Sequence, residues 1–184
     1  MRAWVSLGGN LARSLEAFAN AVVSLTAVAQ VRGVSSLYRS APRERADQPE
    51  FLNAALALET DLTPRPLLAE LKAIERRLGR DPMGARYGPR LIDLDLLAID
   101  DLCIEDAPDL VVPHPRLAER RFALEPLAEL DPDLRPWAAC PVEHRDLTVA
   151  QALAAVIDQD VEVVEGPGWA GDIGPSGIRR TVGP

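Results

Sequence analysis

The nine residues Leu91-Ile92-Asp93-Leu94-Asp95-Leu96-Leu97-Ala98-Ile99 constrain the fold more than any other segment. They read as the clearest strand in the chain. Successive side chains of a strand alternate faces, so Asp93 and Asp95 share one face while Ile92, Leu94 and Leu96 share the other. The fold must therefore cover one apolar sheet face and set two carboxylates together on its opposite side.

The surrounding pattern supplies the rest of that sheet. Residues 3–7 read as a buried strand running into Gly8-Gly9-Asn10. Helical spacing from 13 to 29 places Leu15, Phe18, Val22 and Leu25 on one face. Residues 31–39 and 51–59 read as strands, with a polar, proline-bounded loop over 40–50. Thr63-Pro64 marks the start of a helix that stops at Gly79. Further helices are predicted over 120–130 and 148–158. The order β-α-β-β-α-β followed by helices predicts an α+β fold, a ferredoxin-like two-layer sandwich whose antiparallel sheet carries helices on its faces. At 184 residues the chain has the length of one domain. That domain is expected over 1–160, followed by a flexible Gly/Pro-rich tail over 161–184.

The net charge of −8 argues against a general nucleic-acid binder. An acidic chain can still hold phosphates if its arginines are gathered in one place. Cys103 and Cys140 stand far apart and in no C-x-x-C pair, which predicts reduced thiols in a cytoplasmic protein. No secretory leader or apolar run of about 18 residues is seen, so no membrane association is expected.

Two carboxylates on one face repel each other, and a divalent cation removes the conflict. Hard oxygen ligands suit Mg²⁺, which takes one or two carboxylates together with substrate phosphates. Alone, D-x-D on a strand equally describes a solvated sheet face. Arg80, Arg86 and Arg90 lie just upstream in a loop bearing glycine and proline. Guanidinium forks match phosphate oxygens, whereas a merely solvated loop would pair them with the surplus acids. The P-loop pattern G-x-x-x-x-G-K-[ST] does not occur. Pro113-His114-Pro115 with Arg120 and Phe122, and Gln48-Pro49-Glu50-Phe51-Leu52-Asn53, are further candidates. An Asn amide can read a heterocycle edge, and a Phe ring offers a flat face; each equally suits packing.

Taken together, Gly8-x-Asn10-Leu11, Tyr38-Arg39-Ser40, Gln48-Pro49-x-Phe51-Leu52-Asn53-Ala54, Gly79-Arg80, Arg86-Tyr87-Gly88-Pro89-Arg90-x-x-Asp93-x-Asp95 and Val112-Pro113-His114-Pro115 with Arg120-x-Phe122 resemble the 6-hydroxymethyl-7,8-dihydropterin pyrophosphokinases of folate biosynthesis. The similarity runs from Met1 to about Leu130. It implies transfer of the pyrophosphoryl unit of ATP to the hydroxymethyl oxygen of the dihydropterin, releasing AMP. Asp93 and Asp95 would be ligands of two Mg²⁺ ions. Arg80, Arg90, His114 and Arg120 would hold ATP phosphates, with Lys72 and Glu75 touching the nucleotide. Arg86 would lie in a mobile catalytic loop. The pterin would stack between Phe51 and Phe122, read by Asn53 and by groups from Ser40 to Pro42, with Gly8 beside it and Tyr87 covering it.

Three departures from the family pattern stand out. Gly9 replaces a usual Ser, Tyr87 a common Trp, and Pro82 a frequent second arginine, which predicts one phosphate clamp fewer and a stiffer loop. The competing readings are another Mg²⁺-dependent nucleotide-using transferase and a non-catalytic ligand-binding domain of the same fold.

Overall fold

The computed structural model describes residues 1–43, 45–81, 85, 87–106 and 108–171. The expectations placed on Pro82, Arg86 and residues 172–184 lie outside these residues.

Strands β1 (Arg2–Gly9), β2 (Gln30–Val34), β3 (Leu37–Ser40), β4 (Phe51–Glu59) and β5 (Asp93–Ile99) alternate with helices α1 (Ser14–Leu25) and α2 (Pro64–Arg77) in the predicted order. The strand expected over 31–39 is split at residues 35–36 into β2 and β3, which both pair with β4. Every pairing in this sheet is antiparallel, in the order β5-β1-β4-β3, with β2 beside β4. The fold is α+β, as the sequence predicts. Helix α2 begins after Thr63 with Pro64 at its first position, and Gly79 terminates it at φ +96°, a conformation that glycine adopts without a Cβ penalty.

Helices α1 and α2 cover one sheet face. Phe18, Val22, Leu25, Leu67, Leu71 and Ile74 pack there on Val5, Leu7, Leu56, Leu94 and Leu96. Helices α3 (Arg121–Leu130) and α4 (Val149–Ala154) cover one end of the other face, where Leu124, Leu127 and Val149 pack on Trp4 and Leu97. The remainder of that face, carrying the acids, stays open.

Three expectations are corrected. Two short strands, β6 (Ile104–Asp106) and β7 (Leu110–Val112), form a separate ribbon where the sequence reading places no strand. Residues 161–170 are no free tail: β8 (Val161–Glu165) pairs with β3 as the edge strand, and Trp169 is buried against Phe18 in an edge-on contact, ring centroids 6.1 Å apart. The Trp169 indole N–H donates to the Ser35 carbonyl at 2.9 Å, so the glycines around it shape a turn that seats an aromatic anchor. Finally, Cys103 and Cys140 form a disulfide, Cα atoms 5.4 Å apart. Their separation of 37 residues concealed this, because the fold alone brings the β5–β6 turn to the segment after Trp137.

Candidate active site

Strand register builds the site. Gly8 of β1 pairs with Asp93 of β5 on one side and with Asn53 of β4 on the other, and Ser6 pairs with Asp95. Paired residues of an antiparallel sheet point to the same face, so the open face carries a row Asp93–Gly8–Asn53 in which the central position has no side chain. A Cβ built on Gly8 would lie 4.0 Å from both Asn53 Oδ1 and Asp93 Cβ, in ordinary contact. Gly8 therefore forms the floor of a cleft between a carboxylate and a carboxamide.

The cleft is partly open to solvent. It is lined by Gly8, Ser40, Phe51, Asn53, Tyr87, Arg90, Asp93, Asp95, Arg120 and Phe122, all singled out from the sequence. Asn53 Nδ2 donates to Ser40 Oγ at 2.9 Å, which orients its Oδ1 toward Gly8. The Arg90 guanidinium lies 5.1 Å over the Phe51 ring, and that of Arg120 lies 5.5 Å over Phe122. Tyr87 has φ +61°, in the left-handed region, and its carbonyl accepts from Gln48 Nε2 at 3.1 Å.

Behind Asp93 lies a charge network. Arg80 Nη1 donates to Glu75 Oε1 at 2.6 Å and also to Asp93 Oδ1. Lys72 Nζ donates to Glu75 Oε1 at 2.9 Å and to the Leu94 carbonyl at 2.8 Å, and stands 3.6 Å from Asp95. Burial works to raise the Asp93 carboxyl, but the charges of Arg90, Lys72 and Arg80 outweigh it and hold the group below its usual range. Glu75 goes the other way, pushed up by burial despite Lys72 and the Leu94 N–H. Arg90 Nε is 3.2 Å from Asp93 Oδ2, yet it is buried with no hydrogen-bond acceptor among the described residues.

The other expected residues fall elsewhere. Lys72, Glu75 and Arg80 line a second cavity, which Tyr87 and Arg90 separate from the first. Neighbouring Ala41 and Arg43 line the cleft where Pro42 was expected. His114 lines neither cavity. Burial lowers its pKa, and its Nδ1 accepts the Arg116 backbone N–H at 3.1 Å, leaving a neutral ring with the proton on Nε2. Sequence reasoning missed Ser6, Arg43 and Arg116 as lining residues, and gave Gln48, which lies in a candidate segment, no role of its own. Ser6 was within reach of it, two residues before Gly8 and so on the same face; the others depend on how loops fold over the sheet.

Among the described residues no group of three or more His, Cys, Asp and Glu could hold a metal by itself. Asp93 and Asp95 nevertheless offer hard oxygen donors to one cleft flanked by cations, a donor set that fits Mg²⁺ completed by phosphate oxygens. No described helix is long and apolar enough to cross a membrane.

Comparison with known proteins finds one family. Residues 4–132 match the family model described as 7,8-dihydro-6-hydroxymethylpterin-pyrophosphokinase (HPPK). A Pseudomonas aeruginosa protein named 2-amino-4-hydroxy-6-hydroxymethyldihydropteridine pyrophosphokinase is 42% identical over 153 residues, covering 77% of this chain and 93% of its own length. A protein of the same name from Methylorubrum extorquens is 41% identical over 166 residues, covering 89% and 99%. The crystal structure of wild-type Plasmodium falciparum HPPK-DHPS with pteroate superposes with a TM-score of 0.64 at 12% identity, over 84% of this chain and 44% of that one. The present chain thus spans less than half of that solved chain, and the likeness to it concerns the fold.

Proposed function

The chain belongs to the 7,8-dihydro-6-hydroxymethylpterin-pyrophosphokinase family, and on that premise we propose how its cleft works. Its activity is transfer of pyrophosphate from ATP to 6-hydroxymethyl-7,8-dihydropterin in folate biosynthesis. The observation that carries the assignment of roles is the row Asp93–Gly8–Asn53, which sets an acid and a heterocycle-reading amide across an empty floor.

The pterin takes the end of the cleft bearing Phe51, Phe122, Ser40 and Asn53. Offset stacking on the two rings contributes roughly 0.5–1.5 kcal/mol beyond area burial. Asn53 Oδ1 accepts from the ring edge while Ser40 holds its amide nitrogen. Tyr87 covers this end, and the backbone of 40–42 completes the edge contacts. The nucleotide takes the arginine side. Arg90 and Arg120 hold phosphate oxygens from within the cleft and Arg80 from the adjoining cavity, where Lys72 and Glu75 touch the nucleotide. His114 donates from Nε2, and Arg86 is kept among the catalytic residues. An incoming phosphate oxygen would also give the Arg90 guanidinium, whose buried Nε has no acceptor among the described residues, a partner beyond Asp93.

Asp93 and Asp95 would hold two magnesium ions, which would supply neutralisation of phosphoryl charge. The hydroxymethyl oxygen attacks the β-phosphorus in line. The new O–P bond forms as the bond from that phosphorus to the α,β-bridging oxygen breaks, and AMP leaves with the electron pair. Asp95 accepts the hydroxyl proton, since Asp93 is committed to Arg80 and Arg90. Preorganised cations aimed at the phosphoryl oxygens supply most of the stabilisation.

We take the catalytic unit to run through residue 170. We also place it in the cytoplasm, where ATP is supplied and where the Cys103–Cys140 disulfide would be unusual. The deciding assay incubates the protein with ATP, Mg²⁺ and the dihydropterin. AMP without ADP is expected. ADP would indicate an ordinary kinase, and binding without turnover a ligand-binding domain.

A further inference from the structure

Gln159 lies between α4 and β8, beyond the residues matched by the family model. Its Oε1 accepts from the Arg121 backbone N–H at 3.0 Å and from Arg43 Nη1 at 2.9 Å, and its Nε2 donates to the Glu119 carbonyl at 2.9 Å. The partners fix the orientation of the amide: two donors face its oxygen and a carbonyl faces its nitrogen. Arg43 Nη1 also donates to the Glu119 carbonyl, at 2.7 Å. Arg121 returns the contact, its Nη1 donating to the carbonyls of Ile157 and Gln159 at 2.7 Å each.

These bonds converge on the segment that carries Arg120 and Phe122 into the cleft. Arg121 is the first residue of α3, and its N–H is one of the donors that a helix start leaves unmet. The residue at the cap position, Arg120, makes no side-chain cap. Gln159 supplies one from outside the helix. The same amide grips Arg43, which lines the cleft from the 40–50 loop.

We propose that Gln159 is a positioning residue for the pterin end of the cleft. It holds the segment bearing Arg120 and Phe122 at a fixed distance from the loop bearing Arg43, and thereby sets the affinity for the dihydropterin. This inference rests on the reading of the cleft given above. If the amide served only to tie the α4–β8 connection to the fold, its loss would lower stability without a selective effect on binding.

The test compares Gln159→Ala and Gln159→Glu with Tyr38→Phe, which removes a hydrogen bond to Glu129 at the far end of α3. Gln159→Ala should raise KM for the dihydropterin about tenfold, in keeping with loss of a hydrogen bond to a guanidinium and of a helix cap. Its kcat should stay within about twofold, and its KM for ATP should rise less than that for the dihydropterin, because the lost bonds reach the nucleotide through Arg120 alone. Gln159→Glu keeps both accepting roles and loses the donation to Glu119, so it should fall between. Tyr38→Phe should leave KM unchanged. Calorimetric binding of the dihydropterin, with a non-hydrolysable ATP analogue present, should follow the same order. Binding that follows this order in a protein releasing no AMP would overturn the assigned reaction and keep the positioning role. An unchanged KM in Gln159→Ala, or a rise in Tyr38→Phe that matches it, would overturn the proposal.

Discussion

Asn10 and Arg90 hold each other twice: the Asn10 N–H donates to the Arg90 carbonyl and the Arg90 N–H donates to Asn10 Oδ1, each at 2.9 Å. Asn10 Nδ2 in turn donates to Gln48 Oε1 and to the Pro49 carbonyl, both at 3.1 Å. One buried amide thus fastens the end of β1 to two loops that line the cleft.

Asn10→Ala removes the three side-chain bonds at a buried position and leaves the backbone bond to Arg90. It should lower stability by about 1–3 kcal/mol, read from urea midpoints. It should also weaken ATP binding about tenfold, because Arg90 loses its anchor. An ATP KM equal to that of the wild type would mean that Arg90 is held by other contacts.

Adjacent glycines should respond in opposite ways. A Cβ on Gly9 would lie 2.5 Å from the Leu91 carbonyl oxygen and 2.7 Å from Ser14 Oγ, whereas one on Gly8 meets nothing nearer than 4.0 Å. Gly9→Ala should therefore destabilise the fold by about 1–3 kcal/mol through overpacking. Gly8→Ala should leave the melting temperature nearly unchanged and reduce dihydropterin affinity. A thermally weakened Gly8→Ala with normal affinity would contradict the floor assigned to it.

Asp95→Ala separates two roles for one carboxylate. If Asp95 takes the proton, kcat should fall by roughly 100-fold or more, within the range of general-base contributions, with ATP still bound. Turnover within threefold of the wild type would remove that role, and a loss confined to ATP affinity would assign Asp95 to the metal alone.

Tyr38 gives a pH signature. Burial first, then the hydrogen bond to Glu129, pushes the phenol far above its ordinary value. Its folded-state pKa thus exceeds that of the unfolded chain, so the neutral phenol is the stabilised form. The contribution is complete below about pH 10, the ordinary tyrosine value, and declines as pH rises from there toward the folded-state value. Tyr38→Phe should cost about 0.5–1.5 kcal/mol at neutral pH and flatten the alkaline decline. Denaturation at several pH values decides it, and an unaltered slope would place the alkaline loss on other groups.

The site was legible where backbone periodicity alone settles direction. Two acids two residues apart on an apolar strand had to share a face, and strand pairing then carried Gly8 and Asn53 to the same surface. Loop-borne contributors were less legible. His114 is placed by its own backbone, whose N–H donates to the Leu97 carbonyl at 2.8 Å, and Arg43 enters through bonds to residues more than 70 positions away. Strands of three residues such as β6 and β7 carry too little pattern to register, since their partner makes them strands. The disulfide was unreadable for the same reason: only tertiary structure measures the distance between distant thiols.

The seating of Trp169 decides where this polypeptide can be shortened. Cutting it at residue 160, a boundary its composition invites, would strip β8 from β3 and withdraw the indole that lies against Phe18. An uncapped row of strand amides beside newly bared apolar surface is the kind of flank through which copies of a protein stick to one another.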